Sequence, residues 1–155
     1  MIDRRTAPPP PGGLIAGSRH FYAVRAYYED TDLSGIVYHA NYLRWFERAR
    51  SDLVRMIGVD QRAAIEAGEG AFAVAGMELD FRRPARLDDD VVIETACTEI
   101  RAASCRMQQF ARRGEELLVE ARLRVGFVDP SGRPRRMASA WHQAFSEFMG
   151  ATQTI

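Results

Sequence analysis

Three carboxylates fall within four positions of this 155-residue chain: Glu29, Asp30 and Asp32, with Leu33-Ser34-Gly35 directly after them and His39 further on. A carboxylate can attack a carbonyl or take a proton from water, and it needs a partner to steady the charge developing on the carbonyl oxygen. The start of a helix is such a partner, because its first backbone N–H groups lack acceptors and sit at the positive end of the dipole. The segment from Tyr28 to Tyr42 joins an aromatic, β-branched stretch to the beginning of an amphipathic one, so it sets acids beside a helix start. That arrangement suits acyl transfer. The same acids also make ordinary loop and helix caps, worth ~1 kcal/mol each, and local physics alone leans to that simpler role.

Other chemistries are missing their residues. The chain has no G-x-S-x-G nucleophile elbow, no Walker A loop and no G-x-G-x-x-G. His20, His39 and His142 are scattered, so no metal site is expected. All 21 basic residues are arginine, which removes lysine Schiff bases, P-loop lysines and lysine general bases. They balance 21 acidic residues, against the net basic stripe of a nucleic-acid-binding domain, so no nucleic-acid partner is expected. No window approaches the ~18 apolar residues of a membrane span. Cys97 and Cys105, with no secretory signal ahead of them, read as reduced structural thiols in a cytoplasmic compartment.

The elements that would position the acids follow from periodicity. Residues 1–18 include Pro8 to Pro11 and Gly12-Gly13, which predicts a flexible proline-rich tail without helix or ladder hydrogen bonds. Residues 20–28 read as a strand with apolar side chains on both faces. Tyr42, Trp45, Phe46, Ala49, Leu53, Met56 and Ile57 then recur at helical spacing, with Arg44, Glu47, Arg48, Arg50, Asp52 and Arg55 opposite them. Asn41, or the residue before it, is the expected cap, and Gly58 the stop. After a short helical turn over 60–67 the period drops to two. Strands are predicted over 71–81, 91–99, 104–111 and 117–127, with a last one over 135–146. One long helix with five or six antiparallel strands is an α+β fold. A single helix cannot cover such a sheet, which predicts a homo-oligomer joined through strand edges or helices.

The residues from Tyr27 to Arg55, with the core D-x-D-x-x-G-I-V-Y-H-A-N-Y, resemble the hotdog-fold acyl-CoA thioesterases of the 4-hydroxybenzoyl-CoA thioesterase family. The likeness is closest to the subgroup associated with the Tol–Pal envelope system, and weaker echoes follow in Phe81-Arg82-Arg83-Pro84-Ala85 and from Asp129 to Arg136. The resemblance implies a hotdog domain over 19–148, a long central helix wrapped by a curved antiparallel sheet, with 149–155 as a C-terminal tail. It implies hydrolysis of a coenzyme A thioester to a carboxylic acid and free coenzyme A, with no further cofactor. It also implies a homodimer or homotetramer that binds its substrate between subunits, and a cytoplasmic location, peripheral to the inner membrane through partners. By motif position Asp32 matches the catalytic aspartate, acting as nucleophile or as general base toward water. The backbone N–H of His39 matches the group that polarises the thioester carbonyl, with the His39 side chain assisting. Tyr38 and Asn41 fall in the same motif as substrate-binding candidates, packing and capping being their alternative roles. Arg135 and Arg136 are candidates for the coenzyme phosphates, since guanidinium binds phosphate well.

Two departures stand out. Leu33-Ser34 replaces two small residues of the subgroup, and the stretch from Met137 to His142 lacks the proline that often follows the arginine turn. Two other readings use the same fold: a hotdog dehydratase or hydratase on acyl-CoA or acyl-carrier protein, and a non-catalytic acyl-CoA-binding partner of an envelope complex.

Overall fold

The computed structural model describes residues 3 and 5–151; the other residues of the two expected tails, 1, 2, 4 and 152–155, lie outside the described residues. In chain order the elements are β1 (Leu14–Ala16), β2 (Arg19–Arg25), a 3₁₀ turn (Tyr28–Asp30), α1 (Asn41–Met56), α2 (Gln61–Glu66), β3 (Ala71–Phe81), β4 (Asp90–Ile100), β5 (Ser104–Arg113), β6 (Glu116–Val128) and α3 (Ser139–Gly150). The strands form one antiparallel sheet ordered β1-β2-β4-β5-β6-β3. It curves around α1 as a hotdog fold does. Buried and exposed residues alternate along β4, β5 and β6, so one face meets the helix and the other meets water.

The apolar stripe of α1 divides between two clusters. Tyr42, Trp45, Phe46 and Ala49 pack with Val91, Ile93 and Leu118. Leu53 and Val54 pack with Met107, Leu123, Phe127 and Phe145. Buried polar side chains run between these clusters. His20, Thr95 and Gln109 stand in register on β2, β4 and β5, and all three are fully buried. The Gln109 amide donates to the Phe46 carbonyl at 3.0 Å and to Thr95 Oγ1 at 3.0 Å, and it accepts from Arg50 Nη1 at 2.9 Å. Arg50 also pairs with Glu47. At the β2 end, Asp52 Oδ2 lies 2.7 Å from His20 Nε2 and accepts the Gly13 N–H at 2.9 Å.

Several expectations are corrected. The stretch 135–146, expected as a strand, instead leads into α3. Trp141, Phe145 and Phe148 fall at i, i+4 and i+7 there, and Phe145 and Phe148 are buried in the second cluster. Residues 14–16, expected in the unpaired tail, form β1 on β2, and α3 reaches into the expected C-terminal tail. The segment read as 20–28 stops as a strand at Arg25, with Tyr27 and Tyr28 exposed and mainly one face buried. Arg50, assigned to the polar face of the helix, is buried, while Met56, assigned to the apolar face, is exposed. Cys97 and Cys105 are free and buried. The neighbouring Cys97 thiol, and then burial, push the Cys105 thiol up.

Candidate active site

The loop between β2 and α1 is built from short-range bonds. An isolated bridge joins Thr31 to Val37 and another joins Ile36 to Arg86. The Asp32 N–H donates to the Ile36 carbonyl at 2.9 Å, and the Gly35 N–H to the Asp32 carbonyl at 3.1 Å. Gly35 holds φ at +81°, where a side chain would be strained, so the turn needs glycine there.

This turn presents Asp32 with one oxygen anchored and the other open. Oδ1 accepts the Ser34 N–H at 2.8 Å and also the Ser34 hydroxyl. Among the described residues Oδ2 accepts no hydrogen bond, and the side chain faces solvent. The Ser34 hydroxyl, followed by the Ser34 N–H, holds the Asp32 carboxyl below its ordinary value of 3.8; desolvation opposes them, and the Ile36 backbone and then His39 act in the same lowering direction. Ser34 belongs to the Leu33-Ser34 departure from the subgroup pattern, and here it supplies the anchor of the candidate catalytic carboxylate.

Beside this loop the start of α1 is left open. Ala40 occupies the cap position with no side-chain cap, and no acidic residue sits in the first turn. By contrast, α2 is capped by Asp60, whose carboxylate accepts the Ala63 N–H at 3.0 Å. Among the described residues the N–H groups of His39 and Ala40 find no acceptor. Unpaired amides at the positive end of a helix are suited to hold an oxyanion. Of the two expected cap positions the residue before Asn41 is the one occupied, and the Asn41 side chain turns away: Nδ2 donates to Asp30 Oδ1 at 2.5 Å. Tyr38 is exposed, and its ring centroid lies 4.6 Å from that of His39. The His39 ring lies edge-on to Phe81 at 6.2 Å, and Phe81 in turn meets Tyr42 at 5.9 Å.

The segment after Phe81 forms the wall behind the loop. Buried Tyr42 accepts the Ala85 N–H on its hydroxyl at 3.0 Å, and the Ala85 carbonyl accepts the Val37 N–H at 2.8 Å. Asp32, Tyr38, His39 and Asn41 are therefore brought into one neighbourhood. Arg135 and Arg136 are not. Arg135 donates to the Glu69 carbonyl at 2.7 Å, at the entrance to β3, whereas His39 meets the opposite end of that strand. Ten residues of extended strand separate these ends, on the order of 30 Å. In the sequence Asp30 is one acid of three. Its separation of eleven residues from Asn41 was the available signal, and neither helical nor strand periodicity exposes it. Among the described residues no three His, Cys, Asp or Glu side chains converge to hold a metal.

The thioesterase superfamily model matches residues 34–120. The acyl-CoA thioesterase YbgC of Haemophilus influenzae is 36% identical over 126 residues, covering 78% of this chain and 93% of that protein. The acyl-CoA thioester hydrolase YbgC of Escherichia coli O6:H1 is 43% identical over 110 residues, covering 70% of this chain and 81% of its own. Among solved structures, a probable thioesterase from Bartonella henselae superposes with a TM-score of 0.73 at 36% identity, over 77% of this chain and 99% of that one.

Proposed function

The chain belongs to the thioesterase superfamily, and from that premise we propose that it hydrolyses an acyl-CoA thioester to a carboxylic acid and free coenzyme A. One observation carries the reading: a carboxylate with a free oxygen lies in the loop that leads into α1, and the N–H groups of His39 and Ala40, just before the helix, have no acceptor among the described residues. In the proposed reaction Asp32 Oδ2 attacks the thioester carbonyl or takes a proton from water that does so. The N–H groups of His39 and Ala40 hold the oxyanion, and the His39 ring stands nearby to assist. In the base route the C–S bond breaks and the coenzyme leaves as its thiol, with the proton that Asp32 took from water. In the nucleophile route it leaves behind an acyl–Asp32 anhydride. Water then cleaves the anhydride to release the acid and restore the carboxylate, the water's proton passing to the thiolate. Every step uses side chains and amides already in place, so we propose no cofactor beyond the coenzyme A of the substrate.

The proposal includes a homodimer or homotetramer. β3 lies at one edge of the sheet, is 11 residues long and is largely exposed, and an edge of that length favours pairing with another chain. Antiparallel pairing of two such edges would carry the Arg135 end of one copy toward the Asp32 loop of the other, where arginines could meet coenzyme phosphates. Among the described residues no helix is long and apolar enough to cross a membrane. We place the protein in the cytoplasm, peripheral to the inner membrane through partners of the Tol–Pal type, on the resemblance of its motif. The test is release of free thiol from short, long and aromatic acyl-CoAs, with Asp32→Asn alongside. Turnover that disappears in the variant supports the reading. Equal background from both proteins removes it, and addition of water to an enoyl-CoA without thiol release would put a hydratase in its place.

A further inference from the structure

We propose that Asp30 is a positioning residue for this reaction, strapping the Asp32 loop to the first turn of α1 through Asn41. The inference rests on the thioesterase reading and concerns what fixes the distance between its two halves. Asp30 is bonded at all four of its main polar groups. On the strand side its N–H donates to the Tyr27 carbonyl at 2.9 Å, and its Oδ2 accepts the Tyr27 N–H at 2.8 Å. On the helix side its carbonyl accepts the Tyr38 N–H at 2.9 Å, and its Oδ1 accepts from Asn41 Nδ2 at 2.5 Å. Asp32 has no such reach. The hydrogen bonds of its side chain and backbone go to Ser34, Gly35 and Ile36, inside its own turn.

The relation between the Asp32 carboxylate and the helix amides therefore passes in large part through its neighbour two residues back. Both carboxylate oxygens of Asp30 are occupied, which suits a fixed strut and leaves the reactive role to Asp32. Asn41 completes the device. As the first residue of α1 it spends its side-chain amide on Asp30, and the N–H groups of His39 and Ala40 just before it keep no acceptor among the described residues. A displacement of ~1 Å between reacting groups can cost ~10²-fold in rate, so a strap of this kind acts on turnover more than on binding.

Three variants test this: Asp30→Ala, Asn41→Asp, and Asn41→Asp combined with Asp30→Asn. Asn41→Asp sets two carboxylates against each other, and the double exchange remakes the bond with donor and acceptor swapped. Asp30→Ala and Asn41→Asp should lower kcat roughly 10- to 100-fold, with KM within about twofold. The acid limb of the pH profile should stay in place in Asp30→Ala, because Asp32 still sets it. The double variant should recover most of the lost turnover. Hydrogen exchange of residues 38–42 gives a second reading, faster in Asn41→Asp and slowed again in the double. Native kcat in Asn41→Asp, or a double variant that recovers neither turnover nor protection, overturns the proposal. Absence of thiol release from the native protein instead overturns the proposed function, while exchange still decides whether the strap exists.

Discussion

Two sets of polar groups lie along α1, and they are held in opposite ways. At the N-terminal end Asp32 keeps an unbonded oxygen, and the amides of His39 and Ala40 are unpaired among the described residues. Between the two apolar clusters, Arg50, Gln109 and Thr95 bond to one another and to the Phe46 carbonyl, out of reach of water. The difference follows from solvent. An exposed donor or acceptor without a protein partner bonds to water at little cost, and that water can be displaced by substrate. A buried one loses ~1–3 kcal/mol if left unpaired. Unsatisfied groups can therefore collect where chemistry is wanted, and the interior must satisfy nearly all of its own. Among the described residues, His20 Nδ1 is the buried side-chain atom that departs from this pattern.

The contrast predicts that the two regions fail separately. The largest effect belongs to Asp32→Asn, which should lower kcat by ~10²–10⁴-fold if the carboxylate is base or nucleophile. Its melting temperature should stay close to that of the native protein. A large loss of stability there would mean that the loop is structural after all. Gln109→Leu should do the reverse. It orphans Arg50 Nη1, Thr95 Oγ1 and one hydrogen bond to the Phe46 carbonyl, so chemical denaturation should show ~1–3 kcal/mol lost. Turnover per folded molecule should be unchanged, and a matching fall in kcat would tie the two regions together.

A smaller loss of stability is expected from Gly13→Ala. A Cβ at that position would collide with the Phe21 carbonyl and come within 2.8 Å of both Asp52 Oδ2 and His20 Nε2, so backbone must move. Thermal unfolding of this variant measures how much the N-terminal segment contributes through Asp52. Ser34→Ala should have the smallest effect. In the native protein the lowered Asp32 carboxyl stays charged until the pH drops below the ordinary aspartate range, and activity is lost as pH falls through that lowered value. Any contribution of the group to stability is likewise present above the ordinary value and lost on the same descent. Removing the Ser34 hydroxyl raises Asp32 again and moves the acid limb of kcat/KM to higher pH. A limb that stays in place would show that Asp32 does not set it.

Much of the site's neighbourhood was readable because it is local in sequence. The carboxylates, Gly35 and the helix start lie within about a dozen residues, so Asp32 and His39 belong to one short connection in the sequence. The strap between Asp30 and Asn41 was not readable, since the same asparagine could equally have capped the helix. Nor was the wall from Phe81 to Ala85, whose contact with Tyr42 and Val37 depends on how β3 returns past α1. The error at α3 has a related cause. Its apolar residues fit a short strand nearly as well as a helix, and burial of Phe145 and Phe148 in the second cluster selects the helix.

The sequence by itself determined the long amphipathic helix, the alternating strands and the acid-rich turn ahead of the helix. Those features depend on side-chain period and on glycine at one left-handed position, which neighbouring residues decide. Tertiary structure alone decided that Arg50 is buried, that Gln109 receives it from 59 residues away, and that His20 meets Asp52 across 32. Strand register sets these partners. A slip of one residue would turn His20 or Gln109 to the other face of the sheet, away from their partners on α1, and nothing in the local pattern of charge reveals which register the packed core will choose.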